Sequence, residues 1–282
     1  MLALDKIVWL HAEITNRCNA HCPACARNNS GYGLRSSITL TDLPVERFCE
    51  IISQLPALET VQLCGTFGDP VASKNLLEII QISVDKNYEV QIHTNGSLKT
   101  KEWWRDLADK LRTIKHSVVF GIDGLKGIHE IYRQGTDFDK IIENAEAFIQ
   151  NGGNAEWQFL TFKHNVHQIK DCMRLGQRLG FKKFTVKKSI RVPNPARNYL
   201  TGKSYVIESD DKFDHTMNNH EKEVTVDDCM HLSMPSIYVN ADGTLAPCCY
   251  LTDVVYDNNK IDDGFLDRCK THCGRSVVAH KN

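Results

Sequence analysis

Between Ile7 and Ile190, short runs rich in β-branched and aromatic residues alternate with longer stretches whose apolar positions recur every three or four residues. That alternation is the mark of repeated βα units feeding a parallel sheet. It predicts six strands, at Ile7–Thr15, Thr60–Thr66, Glu89–Thr94, Ser117–Asp123, Ala155–Lys163 and Lys182–Ile190. Helices are predicted near Val45–Leu55, Leu76–Lys86, Lys101–Arg112, Asp139–Gln150 and Gln168–Leu179. Parallel strands need crossover helices on the outside, and chemistry in such barrels gathers at the C-terminal strand ends. The unusual residues of this chain fall there. After Ile190 the alternation stops: Pro193, Pro195 and a polar Glu208–Glu223 stretch lead to a cysteine-rich tail. The expected division is an α/β barrel unit over residues 1–190, a connecting segment over 191–228, and a small unit over 229–282.

Charge changes this picture little. Lys plus Arg number 34 against 35 Asp plus Glu, so no global field favours nucleic acid or an anionic membrane. The chain has no apolar run long enough to span a bilayer and no basic, apolar leader around Met1–His11, which predicts a soluble, cytoplasmic protein. Eleven cysteines change the picture more. In a reducing compartment, clustered thiols point to metal rather than to disulfides.

Cys18, Cys22 and Cys25 fall in one short loop directly after the first strand. Three such thiols suit three corners of a cubane iron–sulfur cluster and leave its fourth iron open. A zinc site is the alternative, with His21 completing four ligands. The spacing Cys-x-x-x-Cys-x-x-Cys resembles the signature of the radical S-adenosylmethionine (SAM) superfamily, and Asn19, Pro23 and Arg27 resemble its Cys-Asn-x-x-Cys-Pro-x-Cys-x-Arg branch. The resemblance implies a 4Fe-4S cluster whose open iron is chelated by SAM. It implies reductive cleavage of SAM to a 5′-deoxyadenosyl radical, which abstracts a substrate hydrogen. Ala24 departs from the pattern, since many members carry an aromatic residue there.

The next strand ends resemble the SAM-holding edges of that family. Gly65-Thr66-Phe67-Gly68-Asp69-Pro70 is similar to its Gly-x-Glu-Pro segment with Asp69 in place of Glu, and the glycines are expected to let backbone approach a ligand. Thr94 and Asn95, followed by Gly96, offer hydroxyl and amide groups for the ribose diol or the methionine carboxylate. His93 is expected to face the core. Asp123-Gly124 resembles a Ser-x-Asp-Gly segment in which Gly121 replaces the serine. Arg133 is similar to a family arginine that neutralises the SAM carboxylate, the plainer reading being a solvated helix-end arginine. Lys163, His164, Lys187 and Arg191 lie near predicted C-terminal strand ends, where they could touch substrate or SAM, the commoner explanation being exposed basic residues. Cys49, Cys64 and Cys172 are expected to pack as small apolar residues.

A second cysteine set opens with Cys229, Gly243 and Cys248 and closes with Cys269 and Cys273. Asn240–Gly243 supplies a turn between predicted strands Ser236–Val239 and Thr244–Pro247. This arrangement resembles the start of SPASM and twitch extensions, which hold auxiliary clusters. A full SPASM extension needs seven cysteines, and five lie between Cys229 and Cys273. The resemblance therefore implies a twitch-like extension with a second, auxiliary 4Fe-4S cluster on Cys229, Cys248, Cys269 and Cys273; a zinc ribbon is the alternative. Cys249 is left over, either exchanging roles with Cys248 or donating a hydrogen atom to a substrate radical.

The combined expectation is a partial TIM-type (β/α)6 barrel with that extension. It would act on a small molecule or a peptide by dehydrogenation, epimerisation or peptide modification, with a flavodoxin or ferredoxin as electron donor. The competing expectation is a non-catalytic interaction protein with two structural zinc sites.

Overall fold

In the computed structural model, residues 4–189, 195–210 and 234–249 are described. The strands are β1 (Trp9–Ala12), β2 (Thr60–Leu63), β3 (Glu89–Thr94), β4 (Ser117–Gly121), β5 (Ala155–Thr161), β6 (Lys183–Lys188), β7 (Ala196–Arg197), β8 (Ser204–Tyr205), β9 (Ser236–Val239) and β10 (Leu245–Ala246). The helices are α1 (Val45–Ser53), α2 (Leu76–Asp85), α3 (Lys101–Lys110), α4 (His129–Tyr132), α5 (Phe138–Gln150) and α6 (Ile169–Leu179). One sheet runs β10-β9-β1-β2-β3-β4-β5-β6. Strands β1 to β6 are paired in parallel in chain order, as a series of crossover βα units requires. This is the α/β partial barrel the alternation predicts. No helix among the described residues is long and apolar enough to cross a membrane.

Strand faces follow the alternation of side chains. In β3, Val90, Ile92 and Thr94 are buried, while Glu89, Gln91 and His93 are half-buried. In β5, Trp157 and Phe159 are buried and Glu156, Gln158 and Leu160 are half-buried. The buried face packs on the helices, where Trp104, Phe120 and Phe148 form a fully buried aromatic contact with ring centroids 5.1 to 6.3 Å apart. The opposite face is polar. Trp9 Nε1 donates to Gln62 Oε1 at 3.2 Å, and Gln62 Nε2 meets His93 Nε2 at 3.0 Å. His93 thus sits on the inner wall of the barrel rather than in the apolar core.

Helix ends carry the expected chemistry. Thr100 caps α3 by accepting from Trp103 N–H, Asp137 caps α5 by accepting from Lys140 N–H, and Gly180 ends α6 at φ 92°, a left-handed conformation that glycine adopts without steric cost.

Strands β1, β2, β4, β5 and β6 stop short of their predicted ends. Just beyond β1 and β2, Glu13 N–H still donates to Val239 O at 2.9 Å, and Cys64–Thr66 turn onto the wall of the cavity described below. Two further differences concern the region after β6. The hairpin β9–β10 joins the barrel sheet itself, with Trp9 to Ala12 paired in parallel to Ser236 to Val239. All four residues of β9 are buried, so the apolar β1 edge is covered rather than left open. The stretch expected to connect the two units contains the small hairpin β7–β8, which docks on the cysteine loop: Arg197 N–H donates to Ser30 O at 3.0 Å and Tyr199 N–H to Gln134 Oε1 at 2.7 Å. Ala196 and Ile207 bury against Ala20, Cys22, Tyr132 and Phe162 in a second, smaller apolar cluster.

Candidate active site

The loop after β1 carries Cys18, Cys22 and Cys25, and all three thiols line one cavity of about 350 Å³. The loop is tied down along its length. Cys25 N–H donates to Cys22 O at 3.1 Å and His21 N–H to Gln134 O at 2.7 Å. Asn28 Nδ2 donates to Cys22 O at 3.2 Å, and the Arg27 guanidinium donates to Asn16 O. Asn19 donates to Ser97 Oγ at 2.8 Å and accepts from Asn95 Nδ2 at 3.0 Å. Asn19 and Arg27, motif residues in the sequence, therefore shape the loop rather than face the cavity.

The donor set is suited to an iron cluster. The three cysteines are free thiols, and the described residues contain no set of three or more His, Cys, Asp or Glu arranged to hold a single metal ion. His21 stacks on Tyr199 with ring centroids 3.7 Å apart and does not line the cavity. Burial pushes the Cys22 thiol up to about 12 and the Cys18 thiol well above its ordinary value, with Asp69 adding to the second shift.

The cavity continues along the next strand ends through Gly65–Asp69, Thr94, Asn95 and Arg133. A Cβ on Gly68 would lie 1.9 Å from Thr15 O, and one on Gly65 would lie 2.5 Å from Gly68 O and 2.8 Å from Glu13 Oε1. These glycines let the loop nest on the end of β1, which is a different reason from the ligand approach expected from the sequence. Asp69 is buried and accepts from Thr94 Oγ1 at 2.9 Å, Asn95 N–H at 2.7 Å and Val71 N–H at 3.0 Å. Its carboxylate and the Thr94 hydroxyl thus bind each other and lock two strand ends together. Asn95 Nδ2 also approaches Cys18 Sγ at 3.8 Å.

Arg133 is not a solvated helix-end residue: its side chain is 17% exposed, and its Nε donates to Asp123 Oδ2 at 2.6 Å. Asp123 is fully buried, accepts from Leu160 N–H at 2.8 Å, and is absent from the cavity wall. Its contact with the cavity therefore runs through the Arg133 side chain. Gly121, where the family segment has serine, leaves room for the guanidinium, since a Cβ would lie 3.0 Å from Arg133 Nη2.

Behind this pair, Asp123 N–H donates to His129 Nδ1 at 3.1 Å, and His129 Nε2 lies 3.0 Å from Thr136 Oγ1. Burial, with Arg133 adding to it, lowers the His129 pKa from 6.5 to about 3. The unfolded chain takes up a proton below 6.5 that the folded chain refuses until about 3, so this contribution to stability is complete above 6.5 and declines on acidification. Replacing His129 with Gln is expected to flatten the fall in stability between pH 6.5 and 4 by about 3 kcal/mol, read from urea midpoints across that range.

Several residues at the site escaped the sequence reading. Glu13, buried at the end of β1, accepts from Phe67 N–H at 2.6 Å, Gly68 N–H at 2.9 Å and the Tyr238 hydroxyl at 2.6 Å. Its only sequence signal is a carboxylate inside an otherwise apolar strand. Cys64 lines the cavity instead of packing in the core, as do His93, Gln158, Lys188 and Ser189. Of the residues expected near strand ends, Lys163 pairs with Glu208 at the surface, His164 stacks on Phe162 with centroids 5.2 Å apart, and Lys187 lies close enough to Cys64 and His93 to influence both. Cys172 is buried in α6 and Cys49 half-buried in α1. Cys248 is buried, and Cys249 O accepts from Thr66 Oγ1 at 3.4 Å. Arg191, Cys229, Cys269 and Cys273 lie outside the described residues.

Comparison with known proteins bears on the same region. Over 171 residues the chain is 28% identical to 7,8-dihydro-6-hydroxymethylpterin dimethyltransferase of Methanocaldococcus jannaschii, covering 60% of this chain and 28% of that protein. Over 97 residues it is 31% identical to PqqA peptide cyclase of Bradyrhizobium diazoefficiens, covering 34% and 24%. The matched stretch is about a quarter of the length of each of these relatives. The fold is similar to that of Streptococcus suis SuiB bound to S-adenosylmethionine, with a TM-score of 0.64 at 15% identity over 98% of this chain and 68% of that one. SuiB bound to its precursor peptide SuiA gives 0.63 at 15% identity, over 99% and 68%. The model of the radical SAM superfamily matches residues 12–176, from the last residue of β1 into α6. With the thiol loop and its neighbouring strand ends inside that match, the chain belongs to the radical SAM superfamily.

Proposed function

We propose that this protein is a radical SAM enzyme of the SPASM/twitch type acting on a peptide or a small molecule. The observation that carries the reading is the convergence of Cys18, Cys22 and Cys25 with Gly65–Asp69, Thr94, Asn95 and Arg133 on one cavity. Cys18, Cys22 and Cys25 would hold the 4Fe-4S cluster. When bound, the cluster and SAM supply an electron that opens the sulfonium and a radical able to take a substrate hydrogen.

The chain's own residues bind and orient. Arg133, held by buried Asp123, offers a fixed cation for a carboxylate. Asp69 and Glu13 hold the rim, and Cys64, His93, Gln158 and Lys188 form a polar wall on which a substrate would rest. That wall fits a polar substrate. A peptide reading draws support from the likeness to PqqA peptide cyclase and to peptide-bound SuiB, and a small-molecule reading from the likeness to the pterin dimethyltransferase.

Cys229, Cys248, Cys269 and Cys273 would hold an auxiliary 4Fe-4S cluster, with Cys249 as exchange ligand or hydrogen donor and a flavodoxin or ferredoxin as reductant. Anaerobically purified protein is then expected to contain about eight irons with matching sulfide, and to release 5′-deoxyadenosine from SAM and a strong reductant. About four irons would remove the auxiliary cluster, and zinc alone would overturn the enzyme.

A further inference from the structure

Glu13 is the junction of three parts of the molecule. Its backbone N–H donates to Val239 O at 2.9 Å, continuing the β1–β9 pairing past the end of the strand. Its side chain is almost fully buried. One carboxylate oxygen collects Phe67 N–H and Gly68 N–H at 2.6 and 2.9 Å, and the other collects the Tyr238 hydroxyl at 2.6 Å. Tyr238 is fully buried on β9 with its ring edge-on to His11 at 4.7 Å, and its hydroxyl makes its shortest hydrogen bond to Glu13. It also lies 3.2 Å from Thr66 Oγ1, which in turn donates to Cys249 O at 3.4 Å. The C-terminal hairpin and the residues after it therefore reach the Gly65–Asp69 loop twice, through Glu13 and through Thr66.

The physical consequence concerns orientation. Two backbone N–H groups fixed on one buried carboxylate oxygen cannot turn elsewhere without leaving that oxygen unsatisfied. Gly65 has no spare room beside the same oxygen, where a Cβ would lie 2.8 Å away. Among the described residues, Tyr238 is the donor that holds the far oxygen of the carboxylate. Loosening that bond lets the carboxylate rotate, and the loop loses its anchor.

We infer that Glu13 is a positioning residue that pins the Gly65–Asp69 loop for SAM, and that Tyr238 couples the seating of the C-terminal hairpin to SAM affinity. The inference rests on the proposed SAM site. Because such coupling is reciprocal, SAM also tightens the β9–β1 pairing.

The test compares SAM dissociation constants, measured by calorimetry on the anaerobically reconstituted full chain, for wild type, Glu13→Gln, Glu13→Ala, Tyr238→Phe and the Ala/Phe double variant. Gln keeps an acceptor for the two N–H groups and is expected to bind SAM within about threefold of wild type. Glu13→Ala is expected to weaken binding about tenfold or more, and Tyr238→Phe about threefold. In the double variant the Tyr238 change adds nothing, because its effect passes through Glu13.

Hydrogen exchange of the SAM-free protein supplies a readout that does not depend on Glu13→Ala folding. Tyr238→Phe is expected to speed exchange at Phe67 and Gly68 while leaving Ile92 and Val118 unchanged, which a general loss of stability would not do. Wild-type SAM affinity together with wild-type exchange in Tyr238→Phe overturns the inference, as does full additivity in the double variant. Failure of the wild type to bind SAM overturns the reading of the site and the affinity coupling with it, and the exchange comparison still decides whether Tyr238 pins the loop.

Discussion

Replacing Cys22 with serine is expected to lower reductive release of 5′-deoxyadenosine by about a thousandfold or more while leaving the chain folded. A serine hydroxyl does not ionise to replace a thiolate ligand, so the cluster is expected to be lost, with a fall of about four irons per chain. The fold has little reason to follow. Cys22 is 6% exposed in the small apolar cluster with Ala20, Tyr132, Phe162, Ala196 and Ile207, serine has nearly its shape, and Arg133 stands beside it as a hydrogen-bond donor. Unfolding of the metal-free protein is therefore expected to change by about 1 kcal/mol. Iron and sulfide content, the visible absorption of the reconstituted protein and a urea titration of the metal-free form separate the two effects. Retention of iron and of SAM cleavage in the serine variant would exclude Cys22 as a ligand.

The second large effect is expected at Arg133. Changing it to leucine leaves the Asp123 carboxylate at 0% exposure with Leu160 N–H as its remaining hydrogen-bond donor. Breaking a buried pair from one side costs about 3–5 kcal/mol, because the surviving charge has neither partner nor water. A matching loss in urea unfolding is expected for Arg133→Leu, whereas Arg133→Leu combined with Asp123→Leu should recover much of it. Under the proposed function, SAM affinity is expected to fall about tenfold or more in both the single and the double variant, since each lacks the cation. Stability recovering without affinity is the pattern that assigns Arg133 to the cavity and Asp123 to Arg133. Recovery of both would make the pair structural only.

The sequence was legible where the signal was local. The six parallel strands follow from alternating apolar runs, and Cys18, Cys22 and Cys25 declare themselves by spacing within eight residues. Thr94, Asn95 and the Gly65–Asp69 segment were legible for the same reason, since they follow predicted strands at the end where chemistry gathers. Other assignments were only half legible. Gly65 and Gly68 stood out, but the reason they must be glycine lies in Thr15 and Glu13, some fifty residues away. Asp123 stood out too, but its ion pair with Arg133 became visible only in the structure.

The parallel α/β order and the loop of three thiols could be read from the chain directly, because periodicity and short spacing are properties of neighbouring residues. The pairing of β9 with β1, the docking of β7–β8 on the thiol loop, the place of Cys64 in the cavity wall and the bond between Glu13 and Tyr238 emerge from the three-dimensional arrangement alone. Each depends on contacts between residues far apart in the chain: Glu13 and Tyr238 are separated by 225 positions. A lone carboxylate or tyrosine in an apolar strand has no local signature of its partner, and its meaning appears only when the pairing of β9 with β1 brings the two together in a buried space.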